Sequence, residues 1–349
     1  MEFTSDKIPF VAKTLYGLEA VLAKEIENLG GRDIVSGNRA VSFTGNKELL
    51  YRLNIGLRTA LSVLLPIAEF NAHDTDQLYK FSKEIDWSKY FNCSKSIVIE
   101  PVTNSKIFTH SQYAGLKVKD AIADHFRDNT GRRPDVDRMY PDIRINLHIS
   151  DKKCIISLNS SGDTLNKRGY REVSDIAPVN EVLAAGMIIL SGWKKNSNFI
   201  DPMCGSGTLP IEAAMYAKNI PPNAKRRKFS FMHWLDYDES LFENERKKAI
   251  SGICDFDFKI IGSDSSNRAF RIAMNNLEKS GLNKNIRFFR KDFEESEDME
   301  NTIIITNPPY GQRITDDDIC MLYKNLGRTL AKKFYNNQLW IISSNDKAM

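Results

Sequence analysis

The chain has 349 residues, with 49 Lys and Arg against 45 Asp and Glu, for a formal net charge of +4. That length supports two or three domains with their own cores, while so small a charge does not by itself establish nucleic-acid binding. No apolar run is long enough to span a bilayer, the first residues open no signal peptide, and the five cysteines (Cys93, Cys154, Cys204, Cys254, Cys320) lie far apart with no C-x-x-C spacing. The expectation is therefore a cytoplasmic protein with no membrane anchor, zinc site or disulfide framework.

Residues 9–12 read as a strand, and 18–29 as an amphipathic helix with Leu18, Leu22, Ile26 and Leu29 on one face, closed by Gly30-Gly31. Short strands at 34–35 and 41–43 and a helix over 48–54 complete an α+β start. A strand at 97–99 and a helix over 113–126 follow, then a hairpin of 143–149 with 154–158 turned at Asp151-Lys152. In its first strand Ile143, Ile145, Leu147 and Ile149 alternate with Arg144, Asn146 and His148, as in a sheet covered on one face. Exposed charge is the default explanation of the other face, and RNA contact the functional one.

From about residue 165 the pattern changes to alternating strand and helix, the signature of a parallel, doubly wound α/β sheet. Helices read at 182–190, 209–217, 268–277 and 319–331, and strands at 199–200, 260–261, 286–289, 303–305 and 339–342. Residues 220–257 form an insertion with the basic run Lys225-Arg226-Arg227-Lys228 and a charged helix at 239–250. A loop of that length is usually functional or structured in its own right, and we assign it to an RNA-facing side. Lys167, Arg168 and Arg171, with Arg132-Arg133, are further candidate phosphate contacts, and Tyr170, Phe229 and Trp234 suit unstacked bases. Each run alone reads more readily as a solvated face, and together with the strand-tip motifs below they become RNA contacts.

Four strand tips carry the chemistry. Asp201-Pro202-Met203-Cys204-Gly205-Ser206-Gly207-Thr208 joins the first strand of this half to a helix, and its glycines allow close backbone approach to a ligand. Pro210 stands three residues after Gly207, so this is not the dinucleotide G-x-G-x-x-G pattern, and no Gly-Lys-Ser/Thr follows to make a P-loop. An acid opening a glycine turn suits the cationic methionyl end of S-adenosylmethionine, with Cys204 contributing backbone rather than thiol. Asp264 ends the next strand as a ribose acceptor, and Asp292, with Phe293 beside it, is a candidate for the adenine amino group. Asn307-Pro308-Pro309-Tyr310 ends the fourth strand. There the Asn307 side-chain oxygen and the Pro308 carbonyl can accept hydrogen bonds from an exocyclic amine while the base stacks on Tyr310.

In that order these tips resemble the class I methyltransferases that methylate exocyclic amines of nucleic-acid bases, including the N6-adenine DNA methylases. Lys167-Arg168-Gly169-Tyr170-Arg171 and Ala177-Pro178-Val179-Asn180-Glu181 look like the segment that, in the RNA-modifying branch, leads a helix under the methionine end of the cofactor. That likeness implies cofactor contacts at Pro178, Glu181 and Asn307 as well as at Asp201, Cys204, Gly205, Gly207, Thr208, Asp264, Asp292 and Phe293. Residues 17–25 and 105–122 look like the ferredoxin-like plus THUMP module of the same branch, and from about residue 8 onward the chain is similar to the N-terminal half of RlmL-type 23S rRNA guanine-N2 methyltransferases. The resemblance implies a ferredoxin-like part at 1–55, a THUMP-like RNA-binding domain at 56–164 and a Rossmann-like methyltransferase domain at 165–349. It implies metal-free methylation of a guanine N2 amine in 23S rRNA, with Asn307, Pro308 and Tyr310 catalytic. Guanine N2 in tRNA, adenine N6, or a non-catalytic RNA-binding assembly factor are the alternatives. Such folds close with a further helix and hairpin after the fifth strand; the sequence ends before them, which would leave that strand as an open edge. The larger enzymes can carry a second methyltransferase half, so only the amine-methylating activity is expected here.

Overall fold

A computed structural model describes residues 7–171, 179–296, 299–308, 316–335 and 337–342, those at 316–318 by backbone alone. The chain divides into two compact units, Met1–Leu165 with Arg226–Lys248, and Asn166–Lys225 with Ala249–Met349.

The first unit is built on one seven-stranded sheet. Its elements are β1 (Ile8–Lys13), α1 (Glu19–Asn28), β2 (Arg32–Ser36), β3 (Ala40–Gly45), α2 (Lys47–Gly56), β4 (Ser62–Asn71), α3 (Thr75–Glu84), β5 (Ile97–Asn104), α4 (Ser111–Thr130), β6 (Ile143–Ser150) and β7 (Lys153–Asn159). The strand order is β2-β3-β1-β4-β7-β6-β5. β4 joins the halves, pairing antiparallel with β1 on one side and β7 on the other, and its register shifts between Pro66 and Ala68. Proline cannot donate to a ladder, so a bulge is where a central strand tolerates it. Local chemistry starts the helices: Asn46 Oδ1 accepts from Leu49 N at 2.9 Å and Asp74 Oδ1 from Gln77 N at 2.7 Å.

The second unit is a parallel sheet with helices on both faces. It runs α5 (Glu181–Leu190), β8 (Asn198–Asp201), α6 (Thr208–Ala217), α7 (Glu239–Ser251, largely in the first unit), β9 (Ile260–Asp264), α8 (Asn267–Ser280), β10 (Ile286–Arg290), β11 (Thr302–Thr306), α9 (Asp316–Lys333) and β12 (Gln338–Ile341). Strand order β10-β9-β8-β11-β12 puts β8 at the centre. Phe199, Ile303 and Ile305 face α5, α6 and α8, whereas Ile200 and Ile304 meet Leu326 and Leu330 of α9 and Phe334 just after it. Burial on both faces explains why these strands read as unbroken apolar runs. Each such side chain contributes roughly 2 kcal/mol on leaving water. The chain winds outward from β8 through β9 to β10, then returns to β11 on its other side. Open α/β sheets bind ligands beyond the strand ends at such a reversal.

The insertion corrects the sequence-based expectation of a nucleic-acid-facing loop. Its aromatic residues are core: Phe231 lies 4.8 Å from the Tyr51 ring of α2, Phe242 5.6 Å from it, and Phe229 stacks on Phe231 at 5.0 Å. Arg52 Nε meets the buried Glu245 carboxylate at 2.7 Å. Residues inserted in the second unit's sequence thus complete the core of the first.

Candidate active site

The glycine turn and the Asn307 tip sit at the same end of the sheet. β8 and β11 are parallel neighbours in the register Ile200 to Ile304, and Thr306 Oγ1 donates to Asp201 Oδ1 at 2.8 Å. One residue beyond Thr306 is Asn307, and one turn beyond Asp201 is Gly205. Two motifs more than a hundred residues apart in sequence are thus joined by a side-chain hydrogen bond as well as by their strands.

The turn is fixed by its own backbone. Cys204 N donates to Ser263 O at 2.8 Å, Gly207 N to Cys204 O at 2.8 Å, and Gly205 N to Asp264 Oδ2 at 2.9 Å. Gly205 and Gly207 have φ of 53° and 78°, the left-handed region that favours glycine. A Cβ on Gly207 would lie 2.6 Å from the Phe288 ring, whereas one on Gly205 would meet nothing within 4 Å. Gly207 is therefore constrained by packing, and Gly205 stands beside open space.

The acids differ in what they have left to offer. Asp264 accepts from Gly205 N on one oxygen and from Ser266 N, at 2.9 Å, on the other, which leaves a lone pair on each for hydroxyl donors. Asp201 is 1% exposed, and burial pushes its carboxyl up to about 7. Donation from Thr306 and from Met203 N opposes that rise, and the Asp264 charge adds to it. Burial raises the Cys204 thiol well above its ordinary value, which speaks against a nucleophilic thiolate. Asp292 lies two residues beyond β10 and accepts from Glu294 N at 3.0 Å. Phe293 does not stand free beside it, since its ring packs with Ile200, Ile304 and Leu326.

Asn307 Oδ1 is buried and, among the described residues, has no hydrogen-bond partner. Native structures rarely leave such an acceptor bare, and a ligand donor is one explanation. Pro308 is buried next to it, while Pro309, Tyr310 and, on the cofactor side, Pro178 lie outside the described residues.

Several candidate RNA contacts are corrected here. Arg168 has a side chain 1% exposed, 3.6 Å from Glu212, and Tyr170 donates to the same carboxylate at 3.0 Å. Arg171 donates to Val179 O and Thr208 Oγ1 and pairs with Glu181 at 3.4 Å. Arg226 bonds the carbonyls of Ser161, Asp163, Thr164 and Lys228. Lys225 donates to Ser280 O at 3.2 Å. Phe229 and Trp234 are buried as well, so none of these aromatic rings is open to a base. Lys167, Arg227 and Lys228 stay exposed. Sequence reading passed over Thr306 and Glu212. An acid amid the apolar run Leu209 to Met215 was the available signal for Glu212, because a buried carboxylate needs partners.

No helix among the described residues is long and apolar enough to cross a membrane, and no described cluster of His, Cys, Asp and Glu has the makings of a metal site. A doubly wound parallel sheet with a glycine turn, an acid-tipped strand and Asn307 at one end is the arrangement of a Rossmann-like methyltransferase that uses S-adenosylmethionine. Residues 168–349 match the RMKL-like methyltransferase domain, 72–159 the THUMP domain and 9–64 the RlmL ferredoxin-like domain. The chain belongs to this family of THUMP-containing, RlmL-like methyltransferases. It is 34% identical to "Putative RNA methyltransferase slr0064" of Synechocystis over 98% of this chain and 90% of that protein. It is 35% identical to the ribosomal RNA large subunit methyltransferase K/L of Syntrophotalea carbinolica over 97% of this chain and 49% of that protein. The chain thus spans about half the length of the K/L relatives it matches. The crystal structure of SMU.472 complexed with SAH superposes with a TM-score of 0.88 at 29% identity, covering 99% of this chain and 92% of that one.

Proposed function

We propose that this protein is a cytoplasmic enzyme that moves the methyl group of S-adenosylmethionine to the N2 amine of a guanine in 23S rRNA. The observation that carries the reading is the buried, unpartnered Asn307 Oδ1, one residue past the bond that ties β11 to the glycine turn. In this reading the target base leaves its stack, and its amine donates one hydrogen to Asn307 Oδ1 and the other to the Pro308 carbonyl. Both bonds turn the nitrogen lone pair out of ring conjugation and toward the methyl carbon. S-adenosylmethionine, when bound, would supply an electrophilic methyl carbon on a sulfonium leaving group, and the amine that gains this carbon would shed its proton to solvent. Positioning supplies most of the rate, since the sulfonium is already a good leaving group. Asp201 and the turn backbone hold the methionyl end, Asp264 the ribose and Asp292 the adenine. Tyr310 is the proposed stacking partner of the base.

Family membership supports methyl transfer to RNA, and the K/L relatives favour large-subunit rRNA over other acceptors. The test is nucleoside mass spectrometry after incubation with labelled cofactor and, in parallel, rRNA, tRNA and DNA. N2-methylguanosine in 23S rRNA is the expected product. Label confined to tRNA or to adenine would overturn the assignment.

A further inference from the structure

The bond between Thr306 and Asp201 does more than join two strands. Asp201 is almost wholly buried, and among the described residues the groups facing it come from β11, the glycine turn and β9. β11 presents the Thr306 hydroxyl, the glycine turn presents Met203 N–H and the Cys204 thiol, and β9 presents the Asp264 carboxylate. Among the described residues no cation pairs with it. Two neutral donors therefore favour its ionised form, while burial and the Asp264 charge oppose it. Of the donors, Met203 N lies at 3.2 Å and Thr306 Oγ1 at 2.8 Å, so the hydroxyl makes the shorter contact. Thr306 itself is completely buried.

We infer that Thr306 is a positioning residue for cofactor binding: its hydroxyl holds Asp201 ionised and oriented to receive the cationic methionyl end, while its backbone carries Asn307. A carboxylate that must be charged to bind a cation loses affinity as it protonates, tenfold for each pH unit below its pKa. A hydrogen bond to a charged acceptor is among the stronger neutral-donor contacts, so removing it moves that pKa upward by about one unit. The inference rests on the placement of the methionyl end at Asp201 proposed above, but not on the identity of the RNA acceptor.

The test is calorimetric titration of the whole chain with S-adenosylmethionine between pH 5.5 and 9, without RNA, for wild type, Thr306→Val and Thr306→Ser. Affinities are read as ratios of variant to wild type at each pH, so that titration of the cofactor's own amine cancels. Valine keeps the shape and removes the donor. The expected result is that Thr306→Val binds about fivefold more weakly near pH 7 and about tenfold more weakly at pH 5.5, and that the deficit vanishes by pH 9. Thr306→Ser should follow wild type throughout. A packing defect alone would weaken binding equally at every pH, and that outcome, or no deficit at all, overturns the inference. Thr306→Ala is run beside valine, so that one variant failing to fold leaves the other to decide. Nucleoside mapping on RNA fails or succeeds independently of this measurement.

Discussion

Arg171 Nη2 donates to Thr208 Oγ1 at 2.5 Å while Nη1 lies 3.4 Å from Glu181 Oε1. One guanidinium thereby spans the first residue of α6, just after the glycine turn, and the first residue of α5. Replacing Arg171 by Ala takes the cation from a nearly buried carboxylate, leaving it the Asn166 amide, and should cost about 3 kcal/mol. Differential scanning calorimetry should register the loss, and titration with S-adenosylhomocysteine should show weakened binding. Lysine is not an adequate substitute, because it lacks the fork that serves three acceptors at once.

The two turn glycines should fail in different ways. Gly207→Ala combines a left-handed φ with a collision against Phe288, and is expected to destabilise the second unit by about 2–4 kcal/mol. Gly205→Ala meets only the conformational penalty, about 1 kcal/mol, but places a methyl group in open space beside the turn. Thermal melting should rank Gly207→Ala as the less stable protein, and cofactor titration should find Gly205→Ala folded yet weakened in binding.

Asp201 gives a pH dependence of stability with a definite sign. Its carboxyl is pushed up to about 7 in the folded protein from an ordinary value near 3.8. Between those values the folded state holds a proton that the unfolded chain has released, so this group's contribution is full below about pH 4 and is lost as pH rises toward 7. The loss is a few kcal/mol. Asp201→Asn should remove that slope, leaving the free protein more stable than wild type at pH 8 while binding S-adenosylmethionine poorly. Denaturation midpoints measured across pH 4–8 for the two proteins test it; parallel curves would contradict it.

Asn307 should show the same opposition of stability and function. Its Oδ1 is buried without a partner, so an apolar residue of similar volume removes a desolvation cost. Asn307→Leu is expected to melt at or slightly above the wild-type temperature. Methyl transfer should fall by a factor of about 100 or more, since the acceptor that turns the amine is gone. Wild-type turnover in this variant would end the catalytic assignment.

The basic run at 225–228 separates by accessibility. Arg226→Ala takes hydrogen bonds from four backbone carbonyls and should lower the melting temperature of the first unit. Arg227→Ala and Lys228→Ala should leave melting unchanged. If these exposed cations contact phosphate, each should weaken RNA binding and reduce the salt dependence of the affinity by about one ion. Fluorescence anisotropy with rRNA fragments at several salt concentrations distinguishes the two kinds of arginine.

Much of this protein was legible before any coordinates. The parallel half could be read from apolar runs of three or four residues separated by helical periods, because strands covered on both faces leave no room for polar side chains. The glycine turn, the acids at the strand tips and the Asn-Pro-Pro-Tyr segment were legible because each is a local solution to a local geometric demand. β4 was not, since Pro66 interrupts its run and only a bulge within the sheet makes it tolerable. α3 was passed over although Asp74 and Gln77 form a capping pair at its start. Tertiary structure alone decided the fate of the cations. Arg168, Arg171 and Arg226 look like Lys167, Arg227 and Lys228 in sequence, yet they serve carboxylates and carbonyls that folding brings near. It also decided that Thr306 meets Asp201 and that Asn307 keeps a bare oxygen. Hydrogen-bond partners distant along the chain are set by sheet order and register, which no run of neighbouring residues encodes.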